Sequence, residues 1–205
     1  MRSFFNAENW LWKPLGVLGD YVMLSLLWTV FSLPLITLGP ASAALYDAAV
    51  HGLRRKEETV ITRFLSTFRR ELRPGVLSTL FWAGIILSLG LLLYAAAGRM
   101  PEYWPNFVML GLLAAFFLLM ILCWVWPVLS RFTMGFWAMQ AASARLALGH
   151  ILRSAVLALL WGLTGLAGLR FIAPLFVCPA LAALLSTYII EPVFRKYEKN
   201  DGDAA

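Results

Sequence analysis

Residues 76–97 and 106–129 contain no Asp, Glu, Lys, Arg or His. Each run is as long as the roughly 20 apolar residues that a helix needs to cross about 30 Å of hydrocarbon. Backbone in hydrocarbon finds no water to bond, so each run must satisfy its own N–H and C=O groups as a helix. The short linker GRMPEYWP (98–105) joins them as a hairpin. Composition agrees: the chain is 61% hydrophobic and 14% charged. A soluble domain is about 45–50% apolar and about 25% charged. The expected fold is all-α, a polytopic transmembrane helical bundle of about five spans in one domain over 1–199, with a disordered tail at 200–205.

Three further spans are expected at 16–38, 151–169 and 171–190. The first is interrupted: Pro34 removes a backbone hydrogen bond, Thr37 can satisfy groups freed at such a break, and Gly39-Pro40 lets a helix restart. The small residues Ala41–Ala44 follow. Residues 59–73, TVITRFLSTFRRELR, form an amphipathic helix with Val60, Ile61, Phe64, Leu65, Phe68 and Leu72 on one face. Arg63, Arg69, Arg70 and Arg73 are its lipid or partner contacts, and Pro74-Gly75 is its expected end. A basic amphipathic helix beside a span lies in the interface. Residues 4–13 read as a short interfacial segment, and 130–150 as a helical stretch that leaves the membrane and returns. In 151–169, Gly162, Gly165 and Gly168 permit close helix approach, within the bundle or between copies, so a homo-oligomer stays open.

Lys and Arg fix the orientation. The regions 40–75, 130–153 and the C-terminal tail hold thirteen, against Arg2, Lys13, Arg99 and Arg170 on the other side. The positive-inside rule then places the N-terminus outside and the C-terminus in the cytoplasm. If the Pro34 break makes the first segment re-entrant, the N-terminus moves inside. The net charge of +6 reads as topology control and contact with membrane lipids, not nucleic acid. The N-terminus lacks a signal-peptide pattern, so the first apolar segment is expected to stay in the mature protein.

Chemistry-bearing residues are few. Asp20 reads as a capping acid or a cation site. Asp47 and His51, four apart, share a helix face and form either an acid–base pair or a local hydrogen bond. Asp20, Asp47 and His51 are thus the candidate polar site. His150 reads as a surface residue and Glu191, before Pro192, as a helix boundary. No zinc, nucleotide or nucleophile-elbow motif occurs, so no catalytic residue, metal or cofactor is expected. The two uncharged spans argue against an ion-coupled transporter, which carries an ionisable group in its bundle.

The opening third carries a recognisable pattern. Gly19-Asp20 enters the first span, Leu33-Pro34-x-x-Thr37-x-Gly39 precedes Ala43-Ala44-Leu45-Tyr46, and a basic helix with Phe64, Phe68, Arg69 and Arg70 follows. Pro127, Arg131 and Phe132 fit as a later Pro-x-x-x-Arg-Phe. The chain resembles the YesL-like family of bacterial membrane proteins, a family of unknown function. The resemblance implies a bacterial inner-membrane location and kinship with proteins encoded beside carbohydrate-uptake ABC transporters. On that basis the expected function is a non-enzymatic accessory protein whose partners are ABC sugar-transporter permease subunits. A small-molecule transporter or channel is the alternative, and a membrane enzyme using Asp47 and His51 the third.

Overall fold

The computed structural model describes residues 8–55, 59–170 and 176–202. They form eight α-helices: α1 (Glu8–Ser32), α2 (Leu38–Ala48), α3 (Val60–Arg70), α4 (Leu72–Arg99), α5 (Trp104–Arg131), α6 (Phe136–Gly149), α7 (Ile151–Arg170) and α8 (Cys178–Gly202). No strand occurs among the described residues. A 3₁₀ turn, Leu35–Thr37, joins α1 to α2, and a π-helical segment, Ala49–Arg54, extends α2.

Among the described residues three helices are long and apolar enough to cross a membrane: Leu72–Arg99, Trp104–Arg131 and Ile151–Gly168. They carry the expected spans 76–97, 106–129 and 151–169. In their most apolar windows only 11%, 22% and 17% of residues are buried within the chain. Leu87, Leu91, Leu112 and Leu163 are among the side chains that face outward. Outward apolar faces of this extent are costly in water and suit lipid.

The helix at the centre of the bundle is α2. Every residue from Gly39 to Ala48 is buried, and α2 packs against α1, α3, α4, α5 and α8. Its 11 residues reach only about 16 Å at 1.5 Å per residue, half of a hydrocarbon core. The run Ala41, Ser42, Ala43, Ala44 explains the crowding: short side chains let several helices approach one axis.

Several boundaries differ from the sequence reading. The first segment does not run to residue 38; α1 ends at Ser32 and Leu38 opens α2. It starts earlier than 16, since α1 runs from Glu8 through Pro14 and Gly16. Residues 4–7 of the expected interfacial segment lie outside the described residues. The amphipathic helix stops at Arg70, so Leu72 and Arg73 belong to α4 and Pro74-Gly75 sit in its first turns. Proline is harmless there because a first-turn N–H has no helical partner. The 130–150 stretch is split by residues 132–135, outside any helix, before α6. At the C-terminus α8 passes through Glu191-Pro192 and continues to Gly202, so the expected tail is helical over 200–202. Residues 203–205, and 171–175 at the expected start of the fifth span, lie outside the described residues.

Candidate functional site

The α1–α2 break is a built corner. Pro34 is extended (φ −75°, ψ 104°). The Thr37 hydroxyl lies 2.6 Å from the carbonyl of Phe31 and 2.7 Å from that of Pro34, sharing its proton between two acceptors freed at the end of α1. The Gly39 N–H donates to Thr79 Oγ1 at 3.0 Å. A Cβ on Gly39 would meet Thr79 Oγ1 at 2.3 Å, the Gly75 carbonyl at 2.5 Å and the Trp126 ring at 2.8 Å. A Cβ on Gly75 would lie 2.8 Å from Pro40. Helices α2 and α4 therefore cross backbone to backbone, with Gly39-Pro40 against Gly75.

From this crossing α2 carries Asp47 to a basic cluster. Asp47 is buried and accepts a bidentate pair from Arg63, Nε at 2.6 Å and Nη2 at 3.2 Å. Thr67 Oγ1 donates to the same carboxylate at 2.5 Å, and His51 Nδ1 lies 3.1 Å from Asp47 Oδ1. Bidentate charge-assisted bonds are the strong class, so Asp47 fastens α3 to α2. The apolar face of α3 completes the fit: Phe64 stacks on Phe68, and Phe31 of α1 packs against both.

A second knot surrounds Glu191, which is 1% exposed. Arg131 Nη1 donates to its Oε1, and Arg55 Nη2 to Oε2 at 3.5 Å. Arg54 donates to the Thr187 carbonyl at 3.1 Å and lies over the Tyr188 ring. Arg70 pairs with Glu71 at 2.6 Å and donates to the Ser130 carbonyl at 3.0 Å. These contacts gather the π segment, α3, the last turn of α5 and the middle of α8 at one end of the bundle.

Within that end lies a polar cavity of about 370 Å³, whose walls include Tyr46, Asp47, Arg55, Arg63, Arg70 and Arg131. Among the described residues the Tyr46 hydroxyl, which is buried, has no hydrogen-bond partner. Burial pushes its pKa up, and the Glu191 carboxylate pushes in the same direction against Arg131 and Arg54. The hydroxyl thus keeps its proton and remains a donor. On its other side Tyr46 borders an apolar cavity of about 170 Å³ with Trp28, Ser42, Cys123, Trp126 and Trp161 among its walls.

The sequence candidates fall in three groups. Pro34, Thr37, Gly39 and Pro40 form the corner. Asp47 and His51 meet, together with Arg63. Asp20 is exposed on α1, about 18 Å along the helix axis from its C-terminal end at Ser32, so it does not join the break. Arg63 and Arg70 turn to carboxylates of the chain, whereas Arg69 and Arg73 are exposed and make no ion pair with the described residues. Among the described residues Gly165 meets nothing within 4 Å, and a Cβ on Gly162 would touch only Leu119 at 3.7 Å, so neither glycine marks a close helix crossing there. Glu191, read from sequence as a helix boundary, Arg131, quoted only as motif, and Glu71 are knot members whose pairing the sequence did not reveal. A lone acid in the apolar end of α8 was the available signal, since a buried carboxylate requires a partner. Among the described residues no group of three or more His, Cys, Asp or Glu is placed to hold a metal.

Residues 21–94, from the middle of α1 through most of α4, match the family model described as "Protein of unknown function, DUF624". Over these residues, less than half of the chain, the sequence is similar to that family. The match agrees with the YesL-like resemblance and falls where its specific motifs lie. No curated protein and no solved structure matches the chain. The matched segment contains the corner, Tyr46, Asp47 and the whole of α3. It excludes Ser130, Arg131 and Glu191, so one wall of the polar cavity comes from outside the matched stretch.

Proposed function

We propose that the chain is a non-enzymatic accessory protein of the bacterial inner membrane that works with a carbohydrate-uptake system. In this reading α1, α4, α5, α7 and α8 cross the bilayer, with the N-terminus outside and the basic end in the cytoplasm. The observation that carries the non-enzymatic part is the state of Asp47 and His51. The carboxylate accepts from Arg63 and Thr67 as well as facing His51, a set that holds helices together and leaves no lone acid–base pair. The orientation is supported by the gathering of Arg54, Arg55, Arg63, Arg70 and Arg131 at one end, with Arg99 at the far end of the 28-residue α4. The transporter alternative needs Asp20 beside the break, and the helical distance separates them.

The partner surface in this proposal is the exposed polar edge around Arg69 and Arg73. Affinity purification of the tagged chain from its native membrane in mild detergent, followed by mass spectrometry, tests it. Sugar-transporter permease subunits in near-stoichiometric amount, lost in an Arg69→Glu/Arg73→Glu variant that still folds, are the expected result. A chain recovered alone as a monodisperse species overturns the accessory reading.

A further inference from the structure

Three features of the basic end point to a ligand. The first is the cavity of about 370 Å³, within the size range of small-molecule sites. The second is its charge: Arg55, Arg63, Arg70 and Arg131 line it together with His51, and among the described residues these arginines pair with Asp47, Glu191 and Glu71. Four guanidiniums thus meet in a partly enclosed space, where electrostatic attraction is stronger than in water. The third is the Tyr46 hydroxyl, a buried side-chain donor with no partner among the described residues. A native buried polar group is nearly always satisfied, and one that is not calls for an explanation.

We infer that the Tyr46 cavity binds a phosphate group. Planar guanidinium forks and a phenolic donor match the tetrahedral oxygens of a phosphate, and arginine is favoured where such anions are held. A phosphate oxygen would accept from Tyr46 Oη, with the lining guanidiniums around it. Two sources offer this group: soluble inorganic phosphate and the headgroup of an anionic phospholipid. The Trp-lined apolar cavity on the other side of Tyr46 gives an acyl chain a place beside the headgroup. This inference stands independently of any partner protein.

The test uses the full chain in a mild non-ionic detergent. Thermal unfolding is followed with inorganic phosphate, with phosphatidylglycerol, and with a diacylglycerol of the same chains and no phosphate. Native mass spectrometry counts what stays bound. Phosphatidylglycerol should raise the unfolding temperature and remain bound where diacylglycerol does not; a shift with inorganic phosphate as well assigns the soluble source. Tyr46→Phe keeps the ring and should unfold at an equal or higher temperature without ligand. It should weaken binding about tenfold, the loss of one hydrogen bond to a charged group. Arg70→Gln should weaken binding similarly, and Arg69→Gln should not. The inference is overturned if neither phosphate-bearing probe shifts unfolding, if diacylglycerol equals phosphatidylglycerol, if Tyr46→Phe binds as tightly as the parent, or if Arg69→Gln loses as much as Arg70→Gln.

Discussion

Replacing Gly39 by Ala separates two kinds of reasoning. Helix propensity alone favours the change, since Ala is about 1 kcal/mol better than Gly inside a helix. The geometry of the α2–α4 crossing opposes it. The new methyl would lie 2.3 Å from Thr79 Oγ1, 2.5 Å from the Gly75 carbonyl and 2.8 Å from the Trp126 ring. Two of these neighbours are side chains in a packed interior and the third is backbone, so the helices must separate. Overpacking of this kind costs about 1–3 kcal/mol. Separation also stretches the Gly39 N–H bond to Thr79, 3.0 Å long, whose loss costs about 1 kcal/mol. After the propensity gain, a net destabilisation of about 1–3 kcal/mol remains. Gly84 on α4 is the control, because nothing lies within 4 Å of its added Cβ. Reversible unfolding in mixed micelles, read by tryptophan fluorescence, should show Gly39→Ala clearly less stable than the parent and Gly84→Ala equal or more stable. Equal stability of the two variants would refute the close crossing, and with it the physical meaning of the Pro34–Pro40 motif.

Other outcomes follow from the knots. Asp47→Asn should destabilise by about 3–5 kcal/mol, because it leaves the Arg63 guanidinium without its carboxylate; the Asp47→Asn/Arg63→Gln double variant should cost less than the sum of the singles in the same assay. Glu191→Gln should loosen α8 from α5, seen as faster hydrogen exchange over residues 187–194. Trp124→Phe removes the 2.8 Å bond to Ser154 at the α6–α7 corner; it should lower stability by about 1–2 kcal/mol in chemical unfolding. Arg69→Glu and Arg73→Glu, both exposed, should each stay within about 0.5 kcal/mol of the parent, so that any lost partner recovery reads as a surface effect.

Legibility in the sequence followed how local each signal is. The three long spans were visible because an uncharged apolar run has few alternatives in lipid or out of it. The corner was visible too: Pro34, Thr37, Gly39 and Pro40 act on their own backbone within a few residues. The amphipathic pattern of α3 was legible, yet the neighbours of its apolar face were not. Its apolar face suited a membrane surface as well as a protein neighbour, and Phe31, which it meets, lies 33 positions before Phe64. The ion pairs were least legible. Arg131 and Glu191 are 60 residues apart and Arg55 and Glu191 are 136 apart, and no periodicity joins such positions. The extension of α8 past Glu191-Pro192 was hidden for a related reason. A buried carboxylate next to proline reads as a helix end until its arginine partners are in view.

In the proposed arrangement the basic end is a single face of the membrane-embedded bundle. Single-cysteine accessibility in intact cells addresses this directly, with Cys123 and Cys178 replaced by Ala, Arg69→Cys marking the basic end and Arg99→Cys marking the far end of α4. The expected result is that a membrane-impermeant maleimide labels the cysteine at 99 in intact cells and reaches the one at 69 only after permeabilisation. Labelling of both positions from the same side would contradict the account.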